Sequence, residues 1–228
     1  MHKISIKELI EYRRKLSDKS KRNFADKLKI RPIKETLDND EGGGDYWITS
    51  TSCIYNVFKY RKMALYDLKI NDLNVKLQAT ADSRIRSMYQ RNIQILVSFK
   101  DFNFDDSRPK NIVKFETVHK VNRILTIDNF PLYVNPSLLF SHERNGKKEL
   151  GAIWFVPKLY GFKKNELGMF CEVLYNFLIK HYSQSYQISE DLCIVVDTFN
   201  AQKVIYTELK SEEIPFLIKQ TLNEIRKV

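Results

Sequence analysis

Two carboxylates and a lysine stand at the ends of the most apolar runs in the second half of the chain. Glu149 begins the run that ends on Lys158, and Asp197 closes the run "LCIVVD". Carboxylate oxygens are preferred ligands of Mg²⁺, so these residues would form a metal site if their strands met at one edge of a sheet. Each residue also has a structural interpretation. Glu149 suits a solvated turn, Asp197 begins the turn at Asn200, and Lys158 follows a proline that suits a strand terminus.

Other reaction types lack the residues that they need. The three cysteines and four histidines are dispersed, without metal-ligand spacing or a nucleophile–base pattern. The glycine run 42–44 has no Gly-Lys-Ser/Thr after it and no strand before it, so it is not a phosphate-binding P-loop. Hydrolase Gly-x-Ser-x-Gly and dinucleotide-binding glycine patterns are also missing. The sequence therefore predicts neither a resident metal nor a small-molecule cofactor.

The charge of the chain is concentrated at its N-terminus. The formal net charge is +10, and residues 1–34 hold 12 Lys and Arg against 4 Asp and Glu. A basic segment on a nearly neutral body is typical of a protein that binds nucleic acid, although a solvated helix has the same composition. The candidate phosphate contacts in this segment are Arg13, Arg14, Lys15, Lys19, Lys21 and Arg22. A second candidate patch consists of Arg84, Arg86 and Arg91.

Several features of the composition predict a cytoplasmic protein. The N-terminus is charged throughout, and no apolar run reaches the roughly 18 residues that a membrane helix needs. The odd number of scattered cysteines argues against a disulfide framework and favours buried thiols. A composition heavy in Lys, Ile, Asn and Tyr indicates a low-GC bacterium or a mobile element.

Hydrophobic periodicity divides the chain into three predicted parts. Residues 1–34 form a basic helical arm with a narrow apolar stripe, and residues 35–110 form a helical subdomain with a helix over about 81–99. Residues 111–228 form a core in which β-rich runs and "LGAIWFVPK" precede a helix capped by Asn165. Two strands, "LCIVVDTF" and "KVIYTEL", and a helix capped by Ser211 complete it. This β-β-α-β-β-α order predicts an α+β fold with a mixed sheet flanked by helices.

This order of elements resembles the restriction-endonuclease-like fold of RecB-type and CRISPR-associated exonucleases. The resemblance covers about residues 112–228 and rests on "YVNPSLLF", "GAIWFVPK" and "ELGMFCEVLY". In that family the first strand presents an aspartate, often after proline, and the second presents an acid-x-lysine. The following helix carries Gln-x-x-x-Tyr. The resemblance implies two carboxylates that hold Mg²⁺, which activates water, and a lysine that orients the nucleophile.

The residues at the family's metal-binding positions differ in this chain. Pro136-Ser137 stands where the family has its proline and aspartate, and Val156 stands where it has the second acid. Only Lys158 keeps its place, and Glu166-x-x-x-Phe170 replaces the helix motif. The resemblance therefore implies a metal-free member that retains the fold and a nucleic-acid surface.

Three functions remain open from the sequence. The preferred one is a non-enzymatic, nuclease-like DNA-binding subunit of a bacterial defence, repair or recombination complex, acting beside a protein partner. The second is an active Mg²⁺-dependent nuclease that uses Glu149, Asp197 and Lys158. The third is a scaffolding subunit without nucleic acid, in which a partner covers the apolar stripe of the first helix (Leu9, Ile10, Tyr12 and Leu16).

Overall fold

The computed structural model describes residues 2–30, 46–116, 118 and 122–228. The glycine run 42–44 and the predicted boundary at residue 34 lie outside these residues. The helices are α1 (Ile6–Arg13), α2 (Asp18–Ile30), α3 (Ile48–Tyr60), α4 (Ala64–Ala79), α5 (Ser83–Lys100), α6 (Lys164–Tyr182), α7 (Tyr206–Lys210) and α8 (Ile218–Lys227). The strands are β1 (Ile4–Ser5), β2 (Ile112–Glu116), β3 (Ile124–Ile127), β4 (Phe130–Tyr133), β5 (Leu138–Arg144), β6 (Lys147–Val156), β7 (Gln187–Asp197) and β8 (Gln202–Ile205).

A five-stranded mixed sheet forms the centre of the fold, in the order β2-β5-β6-β7-β8. The pairs β2–β5, β5–β6 and β7–β8 are antiparallel, whereas β6 and β7 are parallel. Parallel neighbours need a crossover connection, and α6 supplies it between these two strands. This arrangement confirms the prediction of mixed α and β structure around a mixed sheet.

Helices cover both faces of this sheet because its central strands are apolar on both sides. In β6, Ala152 and Trp154 pack into a core with α1, α2, α6 and α8. Ile153 and Phe155 point to the opposite face and pack into a second core with α3, α4 and α5. The alternation follows from the two-residue period of a strand, so "LGAIWFV" contributes to both cores.

The N-terminal segment is not a separate arm. Ile4 in β1 is fully buried and pairs in parallel with Leu132 of β4 in a small three-stranded sheet of order β1-β4-β3. Leu9, Ile10 and Tyr12 of α1 are buried in the same core as α6 and β6. The segment 2–30 therefore shares the hydrophobic core of α6 and β6, and Leu9, Ile10 and Tyr12 of its apolar stripe contact the protein itself.

Two predicted elements differ in the structure. The run "YVNPSLLF" was predicted as one strand, but β4 ends at Tyr133 and β5 begins at Leu138 in the other sheet. Pro136 lies in this connection, where its missing N–H removes no ladder hydrogen bond. The final helix begins at Ile218 rather than after Ser211, because residues 206–210 already form α7 and Ser211 ends it.

Candidate functional site

Glu149 lies in a buried polar row that crosses three strands. Its Oε2 accepts a hydrogen bond from Ser189 Oγ at 2.6 Å, and it lies 3.6 Å from His142 Nε2 and 3.4 Å from Arg144 Nε. Burial lowers the pKa of His142 and outweighs the opposing effect of the Glu149 charge. Glu149 is only 5% exposed, so it is not the solvated turn acid that the sequence suggested.

Asp197 joins two loops at the end of the sheet. Its carboxylate accepts hydrogen bonds from the backbone N–H of Phe162 and of Phe199, both at 2.9 Å, and from Asn200 Nδ2 at 3.0 Å. Burial raises the pKa of Asp197, and these hydrogen bonds oppose the rise. Gly161 has φ +68°, and a Cβ there would lie 2.2 Å from Asp197 Oδ2. The carboxylate therefore fixes the β6–α6 loop against the β7–β8 turn.

The two acids do not meet. Glu149 pairs with Gln187, whereas Asp197 pairs with Val156, seven residues further along β6. At about 3.3 Å per strand residue, this separation is roughly 20 Å. Lys158 Nζ lies over the Phe162 ring, 5.2 Å from its centroid, near the Asp197 end. The structure therefore does not bring Glu149, Asp197 and Lys158 together, since the two acids occupy opposite ends of one strand pair.

Other possible metal ligands among the described residues do not converge either. Within the part of the chain that the structure describes, no group of three or more His, Cys, Asp or Glu side chains has the arrangement of a metal site. Ser137, at the position of the family's aspartate, accepts a hydrogen bond from the Phe155 backbone at 2.9 Å. It therefore completes the sheet where the β5–β6 ladder ends at Leu138.

A cleft of about 570 Å³ opens at the carboxyl end of β6. Such ends of parallel strands are the usual ligand positions in α/β sheets. Its apolar wall includes Trp154 and Phe170, whose rings lie 5.3 Å apart at 85°. Phe170 is the residue that stands at the aromatic position of the family's helix motif. The cleft also borders Ser137 and Val156, the residues at the two positions where the resemblance implies metal-binding acids.

The charged residues of the cleft are Lys7, Arg123 and Glu116. Lys7 Nζ donates a hydrogen bond to Pro157 O at 3.0 Å, which brings this cation to the end of β6. Arg123 Nε is buried without a hydrogen-bond partner among the described residues, and its Nη1 lies 3.5 Å from Tyr133 Oη. Glu116 pairs with Lys114 at 3.0 Å. An anion that enters the cleft would therefore meet the charges of Lys7 and Arg123, and Arg123 also brings a donor that has no partner among the described residues.

Four of the six predicted N-terminal phosphate contacts have partners within the chain. Arg14 forms two 2.6 Å hydrogen bonds with Glu166, and Arg13 donates to Thr221 Oγ1 at 3.1 Å. The other two engaged cations lie over aromatic rings, Lys15 over Phe24 and Lys21 over Tyr12. Of the six candidates in this segment, Lys19 and Arg22 are exposed and have no such contact within the described structure.

The second predicted patch is also partly structural. Arg86 Nη1 donates to Leu77 O and Thr80 O, the carbonyls at the end of α4. Arg91 Nη1 donates to Tyr46 Oη at 3.0 Å. Only Arg84 presents an exposed side chain that makes no such contact with the described residues. These arginines close helix ends and loops, which is a common role for cations near unsatisfied carbonyls.

A different basic cluster was missed from the sequence. It lies at the end of α3, which carries Lys59, Arg61 and Lys62. Arg61 lines a cavity together with Arg108 and Lys110, and Arg108 donates a hydrogen bond to Lys59 O. Short runs, "KYRK" and "RPK", carry these cations 46 or more residues apart. Each run alone is ordinary, so the only available signal was the alternation of Lys and Arg with Tyr at 59–62.

Comparisons of this chain with protein-family models, curated proteins and solved structures gave no match. The assignment to a restriction-endonuclease-like fold therefore stays a prediction. Among the described helices, none combines the length and the apolarity that crossing a membrane requires.

Proposed function

We propose that this protein is a nucleic-acid-binding subunit that does not cleave its ligand. DNA is the proposed ligand, and the chain works beside a protein partner in a bacterial defence, repair or recombination complex. The order β5-β6-α6-β7-β8 with helices on both faces supports the resemblance to degenerate nucleases on which the choice of complex rests.

The cleft at the carboxyl end of β6 is the observation that carries this proposal. Arg123 brings a buried donor without a partner among the described residues, and Lys7 lies on the same cleft. A guanidinium recognises phosphate through charge and paired donors. Tyr133 provides a ring beside Arg123, since its hydroxyl lies 3.5 Å from Arg123 Nη1, and aromatic faces accept nucleobases of any sequence.

Cleavage has little support from the same region. Phosphodiester hydrolysis of this type needs carboxylates that converge on a metal ion, but Glu149 and Asp197 occupy opposite ends of β6 and β7. The cleft carboxylate Glu116 is paired with Lys114. A scaffolding role through the α1 stripe loses its basis as well, because Leu9, Ile10 and Tyr12 are already buried within the chain.

Fluorescence anisotropy of labelled DNA across a salt series tests the proposal. We expect saturable binding whose affinity falls with salt, because phosphate contacts release counterions. Arg123→Gln should lower the salt slope by about 1, the value for one phosphate contact. The matched variant Arg22→Gln removes the same charge from the exposed face of α2 and should leave the slope unchanged.

Three results would count against the proposal. Absence of saturable binding at low salt would remove nucleic acid as the ligand. An equal loss in Arg22→Gln and Arg123→Gln would assign the binding to general positive charge rather than to the cleft. Metal-dependent shortening of the labelled DNA during incubation with Mg²⁺ would establish cleavage and contradict the non-catalytic part.

A further inference from the structure

The end of α3 holds a lysine among three aromatic rings. Lys59 Nζ lies 5.7 Å from the centroid of Tyr55, 5.3 Å from that of Tyr60 and 5.6 Å from that of Phe115. These distances fall within the range of cation–π attraction. Tyr60 is 55% exposed, so an open aromatic face stands directly beside a positive charge.

Three further exposed cations belong to the same region, Arg61, Lys62 and Lys110. Arg61 and Lys62 are exposed in the turn between α3 and α4, and Arg61 has φ +55°, which ends α3 in the left-handed conformation. Lys110 is exposed on the neighbouring segment. None of these side chains, nor Lys59, forms an ion pair with any described residue. We name the set Lys59, Tyr60, Arg61, Lys62, Arg108 and Lys110 the α3–α4 face.

Arg108 contacts the α3–α4 face through hydrogen bonds to the end of α3. Its Nε donates to Phe58 O at 2.8 Å and its Nη2 donates to Lys59 O at 3.2 Å. The guanidinium thereby satisfies the last carbonyls of α3. Burial is the main cause that lowers the pKa of Arg108, and the charge of Arg61 adds to it. The proximity of these two arginines marks a region of concentrated positive potential.

A cavity of about 770 Å³ adjoins the α3–α4 face. Its walls include Phe58, Phe102 and Phe104, together with Arg61 and Arg108. Two carboxylates, Asp101 and Asp105, lie on its rim, whereas the Lys100 ammonium there is already paired with Asp67 at 2.7 Å. The cavity is large enough for a planar aromatic group, and it combines ring faces with cations.

Helix α3 connects this face with the cleft at β6. Thr51 lines the cleft, and Lys59 lies eight residues later, a rise of about 12 Å along the helix. A shallow groove of about 340 Å³ lies between them, lined by Thr51, Tyr55, Ser137 and Phe155. The groove shares Thr51, Ser137 and Phe155 with the cleft. Tyr55, which lines the groove, lies under Lys59 Nζ of the α3–α4 face.

From this geometry we propose that the α3–α4 face binds single-stranded nucleic acid, whose strand continues along α3 toward the cleft. The inference rests on the proposed nucleic-acid binding and specifies its ligand. The exposed ring of Tyr60, beside cations that form no ion pair with the described residues, suits unstacked bases and a mobile phosphate backbone. A duplex keeps its bases stacked and would contact only the cations. An acidic protein would use the charge but not the ring of Tyr60 or the aromatic cavity.

The test compares a labelled single strand of about 12 nucleotides, a length within the usual site sizes, with the duplex of the same sequence. The variant Arg61→Gln/Lys62→Gln is paired with Lys19→Gln/Arg22→Gln, which removes the same charge from α2. We expect the wild type to prefer the single strand. The face variant should lose about tenfold in single-strand affinity, with a salt slope smaller by about 1.4 for two lost contacts. The α2 variant should keep the wild-type slope.

The outcomes separate this inference from the proposed function. Duplex binding that is at least as tight, and sensitive to Arg123→Gln but not to the face variant, would keep the proposed function and overturn the single-strand site. If the wild type bound neither the single strand nor the duplex, both the proposed function and the single-strand site would be overturned. Displacement of the strand by polyglutamate at equal charge concentration would show a general polyanion surface and would also overturn the inference.

Discussion

The N-terminal helices and the α3–α4 face both concentrate positive charge, but they use it differently. In the N-terminal segment, Arg14 is bound to Glu166 and Arg13 to Thr221. At the α3–α4 face, Arg61, Lys62 and Lys110 form no ion pair with the described residues and lie beside an exposed tyrosine. A high density of Lys and Arg in sequence therefore did not identify the more available surface.

The difference has a physical origin. The cations of α1 lie on a helix whose other face is buried, so their stems pack on the protein and their heads reach internal acceptors. The cations of the α3–α4 turn lie at a helix end, where the chain reverses and neighbours are few. The first region stabilises the protein, and the second leaves charge for a ligand.

The largest expected effect is the loss of protein stability when a buried residue of the N-terminal segment is truncated. Leu9 is fully buried, so Leu9→Ala should lower the free energy of unfolding by about 3 kcal/mol through lost burial and a cavity. Urea unfolding measures the change. The control Leu16→Ala alters a side chain that is 103% exposed and should leave the midpoint almost unmoved. Equal midpoints for both variants would restore the idea of a separate arm.

The ion pair between Arg14 and Glu166 should contribute about 1.5 kcal/mol, the low end for hydrogen bonds to charged groups, because Arg14 is 41% exposed. Burial raises the pKa of Glu166, but the hydrogen bonds from Arg14 and the Lys163 backbone and the charge of Arg14 outweigh it and lower the pKa overall. A depressed carboxylate pKa stabilises the fold above the unfolded pKa of about 4.3, and this stability is lost as pH falls through the folded pKa.

We therefore expect Arg14→Gln to unfold at lower urea than the wild type near neutral pH, with the gap closing as the pH falls below about 4. Arg22→Gln, an exposed arginine on α2, provides the control for net charge and should show no such gap. A gap that stays constant through the acid range would mean that Glu166 does not mediate the effect.

Variants of Tyr60 test the contribution of the aromatic ring at the α3–α4 face. Tyr60→Ala should reduce single-strand affinity about tenfold through lost base stacking, while the salt slope stays at the wild-type value. Tyr60→Phe retains the ring and should bind like the wild type. Anisotropy titrations at several salt concentrations measure both quantities. A loss in the phenylalanine variant as large as in the alanine variant would replace stacking by a role of the hydroxyl group.

The smallest effect is expected for the exposed cations of α2. Lys19→Gln/Arg22→Gln should change neither the urea midpoint nor the single-strand affinity measurably, since surface substitutions away from specific contacts are close to neutral. A marked loss of affinity in this variant would return the nucleic-acid surface to the N-terminal segment, as its charge first indicated.

Long periodic elements could be predicted from the sequence. The predicted helix over 81–99 is observed as Ser83–Lys100, and the apolar run before Pro157 is the ten-residue strand β6. The helix predicted to be capped by Asn165 is observed from Lys164 onward, but Lys163 occupies its N-cap position and Asn165 lies in its first turn. The boundaries after β8 were not predicted, because "KVIYTEL" has strand-forming residues throughout and only packing decides that it becomes helical at Tyr206.

The candidate site was less predictable than the elements. The end of a strand at "GAIWFVPK" was predicted from the sequence, but the cleft that opens there was not. Whether Glu149, Lys158 and Asp197 lie close together could not be predicted, because it depends on the register of the strands. Glu149 pairs with Gln187 at one end of the strand pair, and Asp197 pairs with Val156 at the other. Arg123 gave no signal at all, because a single arginine before a short strand has no distinguishing pattern.

The sequence by itself determined the mixed α/β content, the concentration of charge at the N-terminus and the apolar strands that form two cores, since these depend on residue type and local period. Only the tertiary structure decided which cations are engaged and which acids meet. Those properties depend on contacts such as Arg14 with Glu166, 152 residues apart, and Arg108 with the end of α3. Side-chain availability is a property of the packed chain, because a charge becomes a binding group only where the fold gives it no internal partner.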